Sequence, residues 1–435
     1  MNGIIVVPRE SAAEPGLWTR TTGGVGYLKR QARLLRAVGV TRLLVVGDDR
    51  VRDALESVAV GRLAVIDDVR VVAIPTDAGT EAARAAVLTA MTGADGPTVV
   101  LDARYVLERG AMKKVAARDP GAGVEVATAG GEAIGLAVVG RDGLAAAVDR
   151  ALAGEIEVPA GATRFELGAS DLVGRVTDAA SHAKTEHALW ERCRKVVDGF
   201  VSRNLNRHIS LFISRRIATS PITPNHVSSF TLVLGLVGAF CAWHGTYWWV
   251  LAGAFLLKAN SVLDGVDGEL ARMRIQSSVL GEWLDTISDD LSNQSFFLAV
   301  GFGAAHVTGD ALWLWLGVAS VVPLFLTSAQ YYFWLVKLGR GDVLVFDWFK
   351  TEARTAEELA RRSGKERFMD LVTQLFRRDA FVMMLLVMAV FGVVQYALFV
   401  VAPAAWATFL AVLLRTLRGD MVKSQAGAGP GPKVA

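Results

Sequence analysis

Apolar positions fall into two regimes along the chain. From Gly3 to about Glu166, short β-rich runs (Ile4 to Val7, Leu43 to Val46, Val71 to Ile74, Thr98 to Leu101 and Ile134 to Val139) alternate with Ala/Arg-rich segments. Those segments, Tyr27 to Val38, Glu81 to Met91 and Gly143 to Leu152, carry helical spacing, with Gly39 and Gly93 placed as C-caps. This alternation predicts an α/β domain with a mostly parallel sheet. Beyond residue 225 the apolar runs lengthen to the roughly 20 residues a bilayer demands. Val227 to Trp243, Tyr247 to Arg272, Leu280 to Ala305 and Ala311 to Val336 make four spans. The uncharged run from Ala380 to Leu414 is too long for one span and splits into two near Gln395 and Tyr396 or near Pro403. The expected fold class is thus a soluble α/β N-terminal domain fused to an all-α six-helix transmembrane domain.

Residues 1–166 form the first domain on this reading, 167–194 a polar linker, 225–420 the membrane domain and 421–435 a disordered Gly/Pro-rich tail. Residues 195–224 are expected to hold an interfacial amphipathic helix, because Arg203, Arg207, Arg215 and Arg216 fall mostly off its apolar face. Between spans four and five, Leu338 to Arg378 is a basic insertion with helical stretches at Thr355 to Arg362 and Arg367 to Phe376.

Charge sets the topology. Basic residues crowd before the first span, after the second, in the insertion and after the last span, whereas the other loops hold no Lys or Arg. The positive-inside rule then places both termini in the cytoplasm, across a cell (inner) membrane, and requires an even number of spans. The formal net charge is only +3, which gives no reason to expect nucleic acid as a partner. Cys193 precedes the membrane and Cys241 lies in the first span, so no disulfide is expected. The opening Met1-Asn-Gly-Ile-Ile-Val-Val-Pro lacks a basic n-region and reads as a strand, not a signal peptide.

Four carboxylates interrupt the second and third spans. Asp264 and Asp267 are i and i+3, Asp285 and Asp289 are i and i+4, so each pair projects from one helical face. At a helix centre each costs about 2.5–3.5 kcal/mol to insert, and a divalent cation is the natural compensation. An all-Asp site with neither Cys nor His suits a hard, oxygen-seeking ion such as Mg²⁺. Asp264 lies eight residues before Arg272, roughly 12 Å deep at 1.5 Å per residue, and Asp285 and Asp289 come to the same level from Gly281. All four therefore face the cytoplasm.

The pattern D-x2-D-G-x2-A-R-x8-G-x3-D-x3-D, from Asp264 to Asp289, resembles the signature of the CDP-alcohol phosphotransferase family at every fixed position. The resemblance implies displacement at the β-phosphorus of a CDP-linked donor by an acceptor hydroxyl, with CMP leaving. It implies Asp264, Asp267, Asp285 and Asp289 as ligands of Mg²⁺ or Mn²⁺, in two ions, and Asp289 as general base. Gly265, Gly268, Ala271, Arg272 and Gly281 fall to the nucleotide or donor, their small side chains admitting a ligand or helix closely. Arg377 and Arg378 are candidates for an anionic acceptor, beside the plain alternative of a positive-inside flank. Glu269, Glu282 and Asp290 are read as solvated carboxylates near the inner surface, and Lys258 as snorkelling or paired with an Asp. A homodimer and membrane lipid complete the implied partners.

Gly23-Gly-Val-Gly26 and the helix after it resemble the cytidylyltransferase half of bifunctional inositol-phosphate enzymes, and the segment from Lys195 to Thr223-Pro-Asn225 resembles the same branch. The expected phosphate cradle is replaced by Pro8-Arg-Glu-Ser-Ala-Ala-Glu-Pro15-Gly16, so this nucleotidyltransferase-like domain is expected to be degenerate. Asp102 stands where that family places a metal ligand, though a strand-end Asp capping a turn is the simpler reading. Gly23, Gly24 and Gly26 are read as turn glycines. With 35 Arg against 11 Lys, the Lys/Glu enrichment of hyperthermophiles is missing, which favours CDP-diacylglycerol and phospholipid synthesis over CDP-inositol and inositol phosphate. The competing class, an ion-coupled transporter, fits poorly with four aspartates at one level and no second polar station in spans four to six.

Overall fold

The computed structural model describes residues 1–10, 14–59, 66, 68–154, 161–168, 171–194, 198–346 and 377–418. The helical stretches expected at Thr355 to Arg362 and Arg367 to Phe376, and the tail 421–435, lie outside the described residues. Two compact units result: one comprises Met1–Cys193 and Met273–Ile275, the other Arg194–Arg272 and Gln276–Ala435.

In the first unit the strands are β1 (Asn2–Val6), β2 (Thr21–Thr22), β3 (Val25–Gly26), β4 (Arg42–Asp48), β5 (Asp68–Ile74), β6 (Thr98–Asp102), β7 (Tyr105–Leu107), β8 (Val124–Ala129), β9 (Glu132–Val139), β10 (Thr163–Leu167) and β11 (Leu172–Arg175). The helices are α1 (Pro15–Trp18), α2 (Tyr27–Arg36), α3 (Arg52–Ala59), α4 (Thr80–Ala90), α5 (Arg109–Ala116), α6 (Leu144–Ala153) and α7 (Ala179–Arg192). Seven strands form one sheet in the order β10-β8-β9-β6-β1-β4-β5. The pairings β1 with β4, β1 with β6, β4 with β5 and β10 with β8 are parallel, and only β9 runs against its neighbours. All five residues of β1 are buried, as a central strand covered on both faces must be. Ile4, Val6, Leu44, Val46 and Val100 pack under Val87 of α4 and Val148 and Leu152 of α6. Each such aliphatic contributes about 1.5–3 kcal/mol by leaving water.

All five expected strands are present. The sequence reading missed β8 and β10, where Glu125, Thr128, Arg164 and Glu166 break the apolar runs. Residues 167–194, expected to be a linker, instead carry β11, antiparallel to β7, and α7. Asp178 caps α7 by accepting from Ser181 N at 2.8 Å, and His182, Thr185, Leu189 and Trp190 are buried, so the segment belongs to the domain.

The second unit is all helical. A π-type turn, Ser202–Asn206, leads into α8 (Arg207–Ile217), followed by α9 (Pro224–Trp243), α10 (Tyr247–Arg274), α11 (Val279–Thr308), α12 (Ala311–Leu338), α13 (Arg378–Val390) and α14 (Leu398–Arg418). Among the described residues, α9, α10, α12 and Val394–Arg418 are long and apolar enough to cross a membrane. The acidic first half of α11 and the 13-residue length of α13 separate those two from the other four. The last apolar run breaks at Gly392 (φ +69°) and a 3-10 turn over Val394–Ala397, the first of the two expected places, and α14 runs through Pro403. Small residues set the helix spacing. A Cβ on Gly301 of α11 would lie 2.7 Å from the Trp313 carbonyl oxygen and 2.8 Å from Gly317 Cα of α12, and one on Gly253 of α10 would lie 2.5 Å from the Gly238 carbonyl oxygen of α9.

Helix α8 and the turn before it are amphipathic, with one inversion. Phe200 and Phe212 are exposed, whereas Arg207, Ser210 and Ser214 point into the unit. What they meet is Glu269.

Candidate metal and phosphotransfer site

The sharp reversal from α10 to α11 brings the two aspartate pairs together. Gln276 N donates to the Ala271 carbonyl at 2.9 Å, and Ile275 adopts φ +52°, a left-handed conformation that costs a β-branched residue about 1–2 kcal/mol. Ser278 then caps α11, accepting from Gly281 N at 3.0 Å.

Asp264, Asp267 and Asp285 each offer a carboxylate oxygen, and the three oxygens lie within 4.8 Å of one another. Asp289, one turn beyond Asp285, faces Asp264 across the guanidinium of Arg378: Nη1 donates to Asp264 at 2.9 Å and to Asp289 at 2.5 Å. Arg378 Nη2 donates to Asn260 Oδ1 at 3.1 Å, and Asn260 is itself held by donating to the Thr231 carbonyl at 2.6 Å. Asp267 is the most enclosed of the four and accepts from the Ser228 hydroxyl of α9 and from Gly268 N. An all-carboxylate donor set of this span fits a hard divalent ion, and the guanidinium already lodged between two of the carboxylates marks the place as one for positive charge.

The other residues singled out from the sequence divide. Gly268 lies beside Arg272, one turn on, whose Nη1 would be 3.0 Å from an added Cβ. Gly281 faces Asn225 Oδ1 at 3.1 Å in the same sense, and Ala271 is half-buried between these positions. Gly265, expected to admit a nucleotide, here admits α8: its Cβ would meet Arg207 Nη1 at 3.1 Å and Ser210 Oγ at 3.2 Å. Arg377 and Arg378 part company. Arg378 enters the aspartate cluster, while Arg377 Nε lies 3.9 Å from Asp379, which accepts from Ser202 N at 2.7 Å.

Several carboxylates correct the expectation of solvated groups. Glu269 is fully buried and accepts from Arg207 Nη1 at 2.9 Å, Ser210 Oγ at 2.6 Å and Ser214 Oγ at 2.7 Å. Arg207 also reaches Asp198 with Nε at 2.7 Å and Nη2 at 3.0 Å. Asp290 accepts from the Tyr332 hydroxyl at 2.7 Å, and Glu282 from Gly341 N at 3.2 Å. Lys258 does not snorkel: it is buried and donates to Asn206 Oδ1 at 2.8 Å, with no ion pair among the described residues. The fourth span is also less apolar in its contacts than expected, since Ser328 pairs with Gln294 at 3.2 Å and Tyr332 with Asp290. Sequence reasoning missed Ser228, Asn260 and the whole Glu269 network, and serines at 210 and 214, i and i+4 on α8, were the available signal.

In the first unit, Asp102 is capped rather than open. Its carboxylate accepts from Arg104 N at 2.9 Å, from Nε at 3.0 Å and from Nη2 at 2.7 Å. Burial pushes the Asp102 carboxyl above its ordinary range, with the Arg104 guanidinium pulling the other way. Gly23 and Gly24 (φ +60° and +77°) form the two-residue turn of the β2–β3 hairpin, and Gly23 N donates to Glu186 Oε1 of α7 at 2.8 Å. That amide is spent on a carboxylate, the opposite of a phosphate cradle.

Residues 221–412 match the CDP-alcohol phosphatidyltransferase family model. A bifunctional IPC transferase and DIPP synthase of Aquifex aeolicus is 40% identical over 105 residues, 24% of this chain and 23% of that protein. Proteins of the same description from Thermococcus kodakarensis (33% over 131 residues, 30% of this chain and 28% of the relative) and Rubrobacter xylanophilus (34% over 143 residues, 33% and 31%) are similar as well. The matched segments span less than a third of each relative's length. The aspartates on α10 and α11 lie inside residues 221–412, the segment of this chain that matches the CDP-alcohol phosphatidyltransferase domain.

Proposed function

We propose that this protein is a membrane-embedded, metal-dependent CDP-alcohol phosphotransferase, moving the phosphoryl-alcohol group of a CDP-linked donor onto a hydroxyl of an inositol-phosphate-type acceptor and releasing CMP. The observation that carries the reading is the convergence of Asp264, Asp267 and Asp285 to within 4.8 Å, with Asp289 alongside, in the domain whose family catalyses this class of transfer.

Asp264, Asp267 and Asp285 would hold the divalent ions, Mg²⁺ or Mn²⁺ in two positions. Bound there, the metal supplies charge neutralisation for the donor pyrophosphate and the departing CMP. Asp289 takes the proton of the acceptor hydroxyl as its oxygen forms the new P–O bond and the P–O bond to CMP breaks. Ser228 and Gly268 N fix the Asp267 carboxylate, so this ligand is positioned before substrate arrives. On this reading Arg272 serves the donor, and Arg377 and Arg378 serve the acceptor. The distribution of basic residues supports a site open to the cytoplasm in an inner-membrane protein, and the family resemblance implies a homodimer.

Two donors are consistent with this chemistry. CDP-diacylglycerol follows from the composition argument and would make a phospholipid. CDP-inositol would make a soluble phosphodiester, a reading favoured by the relatives described as DIPP synthases. The first unit is read as a degenerate nucleotidyltransferase-like module, supported by the capped Asp102 and the β2–β3 turn.

The experiment incubates the purified full chain with Mg²⁺, inositol phosphate and either donor, and measures CMP. CMP with one donor assigns the substrate, and Asp289→Asn is expected to lower release by 100-fold or more, about the size of a general-base contribution. No CMP with any pair, or undiminished release in Asp289→Asn, would sink the proposal. Pyrophosphate release from CTP and inositol phosphate would overturn the degenerate reading of the first unit.

A further inference from the structure

The aspartate cluster carries a cation of its own. Arg378, the first residue of α13, spans Asp264 and Asp289 with a single nitrogen and ties its second to Asn260. Asp264 therefore belongs to two sets at once, the three-carboxylate group with Asp267 and Asp285 and the guanidinium pair with Asp289. We infer that Arg378 is an internal counter-cation of the cage, which a divalent ion must displace, so that metal binding and release of Arg378 from Asp264 and Asp289 are one coupled event. The inference rests on the metal reading of the cluster.

Four carboxylates at one place repel one another strongly, and a guanidinium donating to two of them offsets part of that repulsion. A dication bound at Asp264 would stand beside Nη1, and two like charges so close in a partly buried site are poorly screened. One of them must leave. The arginine has the means: its side chain is 26% exposed, and its Nε is buried without a hydrogen-bond partner, so the guanidinium is incompletely satisfied where it sits. It sits at the first position of its helix on a long flexible stem, so its release loosens only the first turn of α13. Asn260, neutral and anchored to Thr231, gives the guanidinium a rest point that does not compete with the ion.

The consequence is functional order. In a cage holding Arg378, oxygens of Asp264 and Asp289 are committed to the guanidinium and are not free to ligate the metal that the donor pyrophosphate needs. Metal entry converts the cage and frees a cation at the mouth of the site for an anionic reactant.

The test uses the purified full chain in detergent, with Mn²⁺ as probe and free Mn²⁺ read by its EPR signal. Arg378→Gln is expected to bind Mn²⁺ about tenfold or more tightly than wild type, within the usual 5–150-fold range of coupled sites, with Arg378→Lys in between. In the wild-type chain, Mn²⁺ is expected to speed amide hydrogen exchange in the first turn of α13. Equal or weaker Mn²⁺ binding by Arg378→Gln overturns the inference, as does unchanged exchange in the wild type, which needs no folded variant. If neither wild type nor Arg378→Gln retains Mn²⁺, the metal reading itself falls; if both retain it equally, only the counter-cation role does.

Discussion

Glu269 lies one residue past Gly268, the signature's first fixed glycine, and its replacement gives the sharpest test of the fold around the site. Its carboxylate is fully buried and takes three donors, one of them the charged Arg207. In Glu269→Ala both serine hydroxyls lose an acceptor, at about 1 kcal/mol each, and Arg207 loses a charge-assisted bond worth about 1.5–3 kcal/mol. The expected destabilisation is about 4 kcal/mol, in line with removal of one member of a buried ion pair. Glu269→Gln keeps the shape and the Oε1 acceptor, and Arg207 keeps Asp198, so the loss falls to about 1–2 kcal/mol. The assay is equilibrium unfolding of the detergent-solubilised protein by SDS titration, completed by a double-mutant cycle with Arg207→Ala. A cost for Glu269→Ala below about 0.5 kcal/mol, or a cycle that is additive to that margin, would refute the claim that this network docks α8 on α10.

Three further outcomes are expected. Arg104→Ala strands the buried Asp102 carboxylate and should destabilise the first unit by about 3–5 kcal/mol, read as a lowered unfolding transition of the full chain, whereas Arg104→Lys should recover part of it. His182 is buried against Thr22, and that burial holds its imidazole below the usual range. The unfolded chain therefore binds a proton that the folded one refuses, and stability should fall as pH drops below about 6.5 toward the lowered folded value and then level off. His182→Gln should flatten that part of the melting-temperature profile; an unchanged profile rejects the assignment. Gly301→Ala forces a Cβ into the backbone of α12 and should cost about 1–3 kcal/mol in the SDS titration; an unchanged transition would reject the close approach of α11 and α12.

What was legible in the sequence was what is local. The aspartate pairs are readable because i, i+3 and i, i+4 spacing places side chains on one face whatever the helix packs against. Strands β1, β4, β5, β6 and β9 announced themselves as short β-rich runs, continuously apolar in the central β1, β4 and β6, and the four long apolar helices among the described residues because lipid imposes length and composition. The misreadings share a cause: α7 was taken for a linker because its polar residues are matched by partners far away, as His182 is by Thr22 across 160 residues. Glu269 was taken for solvated although its donors sit 55 to 62 residues earlier on α8.

By itself, then, the sequence determined two domain types, the helices that cross a membrane and a cluster of carboxylates able to bind a hard cation. Only the tertiary structure decided which groups answer those carboxylates: Ser228 for Asp267, Arg207 for Glu269, and Arg378, 114 residues from Asp264, inside the cage itself. A buried charge must find a counter-charge, but nothing in its own stretch of chain says which distant element will bring one.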